Sequence, residues 1–267
     1  MKKPYFRGKI GNIYKFVYLA VYMPSFWKQV NRVIKEADII IEVLDARMIE
    51  ETRNQEIEKK VQQSGKKILF VVSKCDLVKS DGLKHIKDTL PHSVFISSKD
   101  RLGTTILKKK ILELSRGEKT TVGILGYPNV GKSSLINALS GRGAARTSSE
   151  SGFTKGVQKI RVDQKIMLID TPGVFPKNEK DNVKYGQIGA IDYAKIKNPE
   201  YIALELIESK KEQIKQHYAL TKTDADEILE EIAYKFNKKS TGGKANLEAA
   251  ARFLLKEWQT GKIKYLK

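Results

Sequence analysis

Residues 126–133 read Gly126-Tyr127-Pro128-Asn129-Val130-Gly131-Lys132-Ser133, and this stretch decides the fold. It fits the pattern GxxxxGK[ST], in which glycines let the main chain wrap around phosphate groups. A short apolar run at residues 122–125 precedes it, and a helical pattern follows it through residue 139. Because the motif requires a strand before it and a helix after it, we predict a phosphate-binding loop at the end of a buried strand.

The loop supplies most of the predicted nucleotide ligands. Its main-chain N–H groups and the N-terminus of the following helix would face negative charge. Lys132 is predicted to reach the β- and γ-phosphates, and the Ser133 hydroxyl is predicted to ligate Mg²⁺. The predicted ligands from this part of the chain are Asn129, Val130, Gly131, Lys132, Ser133 and Ser134.

Two further segments are predicted to sense the γ-phosphate. Asp170-Thr171-Pro172-Gly173 follows an apolar run, so that Asp170 could hold Mg²⁺ and the Gly173 N–H could meet the γ-phosphate. Thr154 lies in the glycine-flanked stretch Gly152-Phe153-Thr154-Lys155-Gly156, where its hydroxyl could complete the metal shell. Loops of this kind are ordered by the γ-phosphate and released on hydrolysis. The predicted metal ligands are Ser133, Thr154 and Asp170.

Two segments upstream of the loop are predicted to read a guanine base. Ser73-Lys74-Cys75-Asp76 ends one apolar run, and Ser97-Ser98-Lys99 ends the next. A carboxylate at Asp76 can accept from guanine N1–H and from the exocyclic amine, whereas adenine has no matching donor pair and would leave the carboxylate unpaired. The aliphatic part of Lys74 can pack over the ring, and the backbone near Ser98 can donate to guanine O6. These segments predict GTP rather than ATP.

Apolar runs alternate with helical patterns through the first two thirds of the chain. This alternation predicts an α/β fold with a doubly wound, mostly parallel sheet. Beyond residue 176 the pattern is helical, with apolar stripes that indicate a small all-α core. We predict a basic N-terminal extension over residues 1–24, a nucleotide domain over 25–178 and a helical, basic domain over 179–267.

The chain of 267 residues carries a formal charge of +19, concentrated at both ends. Such a distribution favours a polyanionic partner, because each neutralised phosphate releases counterions. The alternative is a lysine-rich surface with no specific partner, and the basic stretch 239–244 is equally consistent with a plain connector. One cysteine, Cys75, cannot form an internal disulfide. With no membrane-spanning run and no signal-peptide pattern, we expect a cytoplasmic protein, and we expect a monomer.

The order of these motifs resembles that of the circularly permuted GTPases of the bacterial ribosome-biogenesis type and their archaeal relatives. The base motifs come first, and the phosphate loop, the threonine loop and Asp170-Thr171-Pro172-Gly173 follow. Asp45-Ala46-Arg47 and the tail segment Trp258-Gln259-Thr260-Gly261-Lys262 add to the similarity. The resemblance implies a GTPase that converts GTP to GDP and phosphate and binds the large ribosomal subunit or its precursor through rRNA. Because residues 170–176 lead directly into the helical domain in this rotated order, we expect the nucleotide state to gate this binding.

Several residues depart from the family pattern. Ser73 replaces a usual asparagine and has a shorter reach toward the phosphate loop, which suggests weaker guanine binding. Relatives have an N-terminal histidine that positions the attacking water, but no histidine precedes His85 here. Val174 stands where many GTPases have glutamine, so slow intrinsic turnover is expected. Related GTPases that have asparagine at the position of Asn129 use potassium to stabilise charge between the phosphates, so the resemblance implies the same ion here. The predicted catalytic residues are Lys132, Asn129 and Thr154.

Alternatives to a ribosome-linked GTPase remain open on the sequence. One is an RNA-binding module that uses GTP as a structural or slow-switch ligand. Another is a GTPase that acts on a different RNA, such as tRNA. An ATPase is disfavoured, because Asp76 selects against adenine.

Overall fold

The computed structural model describes residues 27–100, 102–141, 158–176 and 181–263. The predicted extension over residues 1–24 and the metal ligand Thr154 lie outside these ranges. In chain order the elements are α1 (27–36), β1 (Ile39–Asp45), α2 (Ile49–Thr52), α3 (Gln55–Gln63), β2 (Lys67–Ser73), a 3₁₀ turn (Cys75–Leu77), α4 (Ser80–Thr89), β3 (Val94–Phe95), α5 (Thr104–Leu114), β4 (Thr120–Leu125), α6 (Lys132–Ser140), β5 (Gln158–Arg161), β6 (Ile166–Asp170), α7 (Asn182–Gln187), a second 3₁₀ turn (Tyr193–Lys195), α8 (Pro199–Tyr218), α9 (Ala225–Lys235) and α10 (Leu247–Gln259).

The strands form one six-stranded sheet in the order β3-β2-β1-β4-β6-β5. All neighbouring pairs are parallel except β5 and β6, which pair antiparallel. The register of β1 on β2 places Asp45 beside Ser73. Because β1, β2, β4 and β6 run in the same direction, their carboxyl ends lie along one edge of the sheet, where open α/β sheets bind ligands.

Side chains of β1 divide between the two faces of the sheet because strand residues alternate. Ile39, Ile41 and Val43 belong to one buried cluster, together with apolar residues of α5, α6 and the C-terminal helices. Ile40 belongs to another, together with residues of α1 and α3. Helices therefore cover both faces, and the predicted doubly wound α/β fold is confirmed.

The chain beyond residue 181 is helical, with α8, α9 and α10 packed against one another. Their apolar stripes join the same buried cluster as one face of the sheet. Helix α8 runs for 20 residues and is interrupted at Lys210, whose φ and ψ are −129° and 28°. In the part of the chain that the structure describes, no helix combines the length and the apolarity needed to cross a membrane.

Candidate functional site

The predicted phosphate loop lies between β4 and α6 at the carboxyl edge of the sheet. Gly126 has φ +142° and Gly131 has φ +103°, values that side chains other than glycine rarely adopt. A Cβ on Gly126 would lie 2.7 Å from the main-chain oxygen of Val43. Glycine at residue 126 is therefore required both by the backbone conformation and by the close approach of strand β1.

Lys132 begins helix α6 and is 6% exposed. Its Nζ donates hydrogen bonds to the main-chain oxygens of Gly126 at 3.0 Å and Tyr127 at 2.6 Å. Burial lowers the pKa of Lys132 to about 8, and the nearby charge of Asp170 opposes this shift only in part. Ser133 is half-buried and Ser134 is exposed in the first turn of the same helix.

Asp170 ends strand β6 and is 2% exposed. Among the described residues, its Oδ1 has no hydrogen-bond partner. Burial raises the pKa of Asp170, while the charge of Lys132 acts in the opposite direction. A buried carboxylate oxygen that lacks a donor is costly, and an oxygen-seeking cation such as Mg²⁺ would remove that cost. The donor set at Asp170 and Ser133 therefore fits Mg²⁺.

The segment after Asp170 lies directly against the phosphate loop. A Cβ on Gly173 would lie 2.5 Å from the main-chain N and Cα of Pro128, so only glycine permits this approach. Thr171 is buried and donates from Oγ1 to the oxygen of Ile124 at 2.6 Å, and the sequence analysis gave it no role. The N–H of Val174 donates to the oxygen of Gly126 at 3.1 Å.

Val174 is a core residue rather than a residue that faces the site. Its side chain is 2% exposed and belongs to the buried cluster that contains Val30 and Val33 of α1 and Ile169 of β6. Its position after Gly173 suggested that valine replaces a water-positioning glutamine. The side chain instead stabilises the packing of α1 on the sheet, which explains why an apolar residue occurs there.

Ser73 reaches the phosphate loop despite its short side chain. Its Oγ lies 2.5 Å from the main-chain oxygen of Val130 and 2.9 Å from that of Leu44, so its single hydrogen can donate to either. Ser73 is 2% exposed, and a Cβ on Gly131 would lie in ordinary contact with its Oγ at 3.5 Å, so the hydroxyl lies directly against the phosphate loop. The shorter side chain of Ser73 therefore still ties the base loop to the phosphate loop, and weaker guanine binding stays a prediction.

Lys74 and Asp76 follow Ser73 at the carboxyl end of β2. Lys74 has φ +58°, and its Nζ donates to Asp45 Oδ2 at 2.8 Å and to the main-chain oxygen of Asn129 at 2.9 Å. The half-buried Asp76 lies in the 3₁₀ turn, with its Oδ1 at 3.1 Å from Ser97 Oγ. Two acceptors thus hold the ammonium group of Lys74, and the packing of its aliphatic part over a base stays a prediction.

The second predicted base loop lies next to the first. Ser97 Oγ is also 2.7 Å from Asp100 Oδ2, so the hydroxyl hydrogen can donate to Asp100 or to Asp76. Ser97 is buried, Ser98 is half-buried and Lys99 is exposed. The structure therefore brings the two base loops together through Ser97.

Asn129 links the phosphate loop to the helical part of the chain. It has φ +61°, and its Nδ2 donates to the main-chain oxygen of Gly189 at 2.7 Å. Thr154, the third predicted catalytic residue, lies outside the described residues.

Asp45 and Arg47 are buried beside Lys74, although neither was predicted as a site residue. Their signal in the sequence was the segment Asp45-Ala46-Arg47 itself, which follows an apolar run and belongs to the family resemblance.

Comparison with known protein families gives two matches. The family described as RsgA GTPase matches residues 29–177, and the family described as 50S ribosome-binding GTPase matches residues 121–241. The first match covers more than half of the chain.

Comparison with individual proteins gives relatives of known name. An uncharacterised GTP-binding protein of Methanocaldococcus jannaschii is 41% identical over 90% of this chain and 66% of its own length. The GTPase grn1 of Schizosaccharomyces pombe is 31% identical over 90% of this chain and 61% of its own length. The chain thus spans less than two thirds of the length of these relatives.

Solved structures with the same fold include YlqF from T. maritima. The GNP-bound form has a TM-score of 0.64 with 21% identity, and the match covers 90% of this chain and 97% of that chain. In this sheet β4, the strand before the phosphate loop, lies centrally, while β2 and β3, which carry the base loops, precede it in the chain. The chain therefore belongs to the RsgA GTPase family, and it combines the fold of YlqF with a circularly permuted order of motifs.

Proposed function

We propose that the chain binds GTP at the carboxyl edge of the sheet and hydrolyses it to GDP and phosphate with Mg²⁺. The observation that carries this proposal is the convergence at one edge of the phosphate loop, the buried Asp170 and the two loops joined at Ser97. Phosphate binding, metal binding and base recognition require these three groups within the reach of one nucleotide.

At the phosphate end, a bound nucleotide would most change the protonation and the hydrogen bonds of Lys132. Its lowered pKa follows from burial without sufficient counter-charge. A phosphate beside Nζ would favour the charged form and replace the main-chain oxygens as acceptor. Asp170 and the Ser133 hydroxyl would hold Mg²⁺, which supplies neutralisation of phosphate charge when it is bound.

At the base end, Asp76 would provide selectivity. Its carboxylate accepts from guanine N1–H and N2–H, while Lys74 covers the ring and the backbone near Ser98 donates to O6. Ser97 lies at hydrogen-bond distance from Asp76 and so orients the carboxylate before the base arrives. This preorganisation supports a preference for guanine over adenine.

Hydrolysis is proposed to be slow without a partner. Val174 is buried away from the site and cannot orient water. Lys132 would stabilise charge on the phosphates, Thr154 would complete the metal shell, and Asn129 would support a potassium ion between the β- and γ-phosphates. GTP turnover measured in K⁺ and Na⁺ buffers tests the last role, and equal rates in both would contradict it.

We also propose that the physiological partner is the large ribosomal subunit or its precursor, bound through rRNA. Support comes from the 50S ribosome-binding family match over residues 121–241, from nucleolar relatives such as nuclear/nucleolar GTPase 2 of rice, and from the charge of +19. Nucleotide state would gate this binding, since the segment that senses the γ-phosphate leads into the helices. Weaker subunit binding with GDP than with GTP is expected, and equal affinity would contradict the gate.

The decisive experiment for this role measures GTP hydrolysis in K⁺ buffer with and without purified large ribosomal subunits. Asp76→Asn serves as the control, since it removes the proposed guanine acceptor. Stimulation by subunits that disappears in the control supports a ribosome-gated GTPase. No stimulation contradicts it.

The burial of Val174 favours a second candidate, an RNA-binding protein that holds GTP as a structural or slow-switch ligand. In that case GTP binds and alters RNA affinity, but turnover stays at the intrinsic level with every RNA. Comparing ribosomal subunits with tRNA in the same assay also tests a GTPase that acts on another RNA.

A further inference from the structure

Strand β1 ends in a buried ion network that lies next to the base loop. Asp45 is 1% exposed, and both of its carboxylate oxygens accept hydrogen bonds. Arg47 donates from Nε to Oδ1 at 3.0 Å and from Nη2 to Oδ2 at 2.7 Å. Lys74 donates from Nζ to Oδ2 at 2.8 Å. One carboxylate thus holds both an arginine of its own loop and the lysine proposed to cover the base.

Arg47 is held from its other side by helix α10. Its Nη1 donates to the main-chain oxygen of Trp258, and its guanidinium carbon lies 4.6 Å from the centroid of the Trp258 ring. Lys210, at the interruption of α8, donates to the main-chain oxygen of Arg47 at 3.2 Å. Arg47 is 8% exposed, so these contacts replace water almost entirely. Arginine therefore joins the end of β1 to the C-terminal end of α10.

The same end of α10 lies against the segment that follows Asp76. A Cβ on Gly261 would lie 2.8 Å from Cδ1 of Leu77, so the chain after α10 packs closely on the 3₁₀ turn. Trp258 Nε1 donates to the oxygen of Gln187 at 2.8 Å, and Gln259 Nε2 donates to that of Gly186 at 2.8 Å. These bonds fix the end of α10 to α7 and place it beside the base loop.

We infer that Arg47 is a positioning residue for guanine recognition, and that the Asp45–Arg47 pair couples the base loop to the end of helix α10. This inference rests on the proposed guanine-nucleotide function. Arg47 orients Asp45, Asp45 holds Lys74, and Lys74 covers the base. The contacts with Trp258 keep Arg47 in the orientation that this chain of contacts needs.

The coupling predicts how the base loop and the end of α10 affect each other. If the end of α10 moves away, Arg47 loses an acceptor and its aromatic partner while it remains attached to a buried carboxylate. Asp45 and Lys74 are then less restrained, and the base loop loses preorganisation. Because coupling between sites is reciprocal, a bound guanine nucleotide would in turn hold α10 against the base loop.

The first test compares Arg47→Met with Arg53→Met by titration with fluorescent GDP and GTP. Arg53 is a matched control, because it also forms a two-bond pair with a carboxylate, Glu58, and lies over an aromatic ring, Phe70. Arg47→Met should weaken the binding of both nucleotides by about tenfold or more, because Asp45 and Lys74 lose the contacts that hold the base loop in place. Arg53→Met should bind as the wild type does. Equal binding by all three proteins would overturn the inference.

A conservative variant separates positioning from loss of folding. Arg47→Lys keeps the charge that Asp45 needs, but a single ammonium cannot bond Asp45 in a two-bond fork and stack on Trp258 together. Arg47→Lys should therefore keep a folded circular dichroism spectrum and the wild-type kcat, with a raised KM for GTP. A lowered kcat with unchanged KM would contradict a role in base positioning.

A spectroscopic test reads the coupling directly. In a Trp27→Phe background, Trp258 is the remaining tryptophan. Addition of GDP should change its emission, and adding Arg47→Lys should reduce this change at saturating GDP. Nucleotide binding without any change in Trp258 emission would overturn the coupling. Failure of the wild type to bind GDP or GTP would instead overturn the proposed function, so the two failures are distinguishable.

Discussion

Strand β1 carries two buried carboxylates three residues apart, and the protein accommodates them in opposite ways. Glu42 is 0% exposed, accepts one hydrogen bond from the N–H of Asn54 at 2.7 Å, and has an Oε2 without a partner among the described residues. Burial raises the pKa of Glu42 to about 8. Burial acts in the same direction on Asp45, but the charges of Arg47 and Lys74 outweigh it and hold the pKa of Asp45 well below its usual range.

The two carboxylates of β1 therefore have different roles, since Glu42 contributes to packing and Asp45 belongs to the candidate site. The raised pKa favours the neutral form of Glu42, and its hydrogen bond from Asn54 joins β1 to the start of α3, so it contributes to the packing of the sheet. Asp45 is charged and its partners belong to the base loop and to the residue that contacts α10. A buried charge that is paired with two cations from different segments fixes the relative position of those segments.

The largest expected effect comes from removing the charge at Asp45. Asp45→Asn leaves Arg47 and Lys74 buried without their shared counter-charge, so the free energy of unfolding should fall by about 3–5 kcal/mol at neutral pH. Urea unfolding followed by circular dichroism measures this. A loss below about 1 kcal/mol would mean that water or another group compensates the two cations.

The pH dependence of Asp45 supports the same comparison. Its pKa is lower in the folded than in the unfolded chain, so its stabilisation is present above the unfolded pKa of about 4 and is lost as the pH falls through the folded pKa. In Asp45→Asn the stability should therefore decline less between about pH 5 and pH 3 than it does in the wild type.

Glu42→Gln should have an effect of intermediate size. The pH dependence of its stability relative to the wild type should be opposite in sign to that of Asp45→Asn. Glu42 has a higher pKa in the folded than in the unfolded chain, so its contribution is fully present below about pH 4.5 and is lost as the pH rises through about 8. The glutamine variant has no proton to lose. Its stability relative to the wild type should therefore increase, by on the order of 1–3 kcal/mol, between about pH 5 and pH 8.

Parallel unfolding curves for Glu42→Gln and the wild type across this pH range would contradict the assignment of a neutral Glu42. Nucleotide affinity provides the control, since Glu42 contacts none of the base-loop residues. It should be unchanged at each pH at which both proteins are folded.

The smallest effect is expected for Arg53, whose pair with Glu58 is partly exposed. The two side chains are 29% and 21% exposed, and they interact through bonds of 3.0 and 2.7 Å. Solvent weakens such pairs, so Arg53→Met should cost about 1 kcal/mol or less. A loss as large as that for Asp45→Asn would remove the distinction between the two pairs.

Much of this fold could be predicted from local sequence. The runs before Ser73 and before Gly126 are apolar and bounded by turns, and the corresponding strands end within one residue of the prediction. Helix α4 was not predicted, since Ser80–Thr89 contains Gly82 and only Ile86 is buried. Its formation depends on packing against the edge of the sheet near β3 rather than on a helical pattern of its own.

The candidate site also has a part that local sequence predicts and a part that it does not. The phosphate loop is set by the spacing of residues 126–133 and was predicted residue by residue. The contact between Arg47 and Trp258 joins residues 211 positions apart, and no periodicity in the sequence reveals it. The packing of Val174 could not be predicted for a related reason, because only the folded structure shows its side chain in one buried cluster with residues of α1.

Guanine selectivity at Asp76 is tested most directly by the affinity of the wild type and Asp76→Asn for GDP, xanthosine diphosphate and ADP. Xanthine has an oxygen where guanine has its N2 amine, so an asparagine at residue 76 can donate to it where a carboxylate would repel it. We expect the wild type to bind GDP at least about a hundredfold more tightly than xanthosine diphosphate or ADP, and Asp76→Asn to prefer xanthosine diphosphate. Equal preference in the two proteins, or ADP binding as tight as GDP binding, would contradict a guanine-selective site at Asp76.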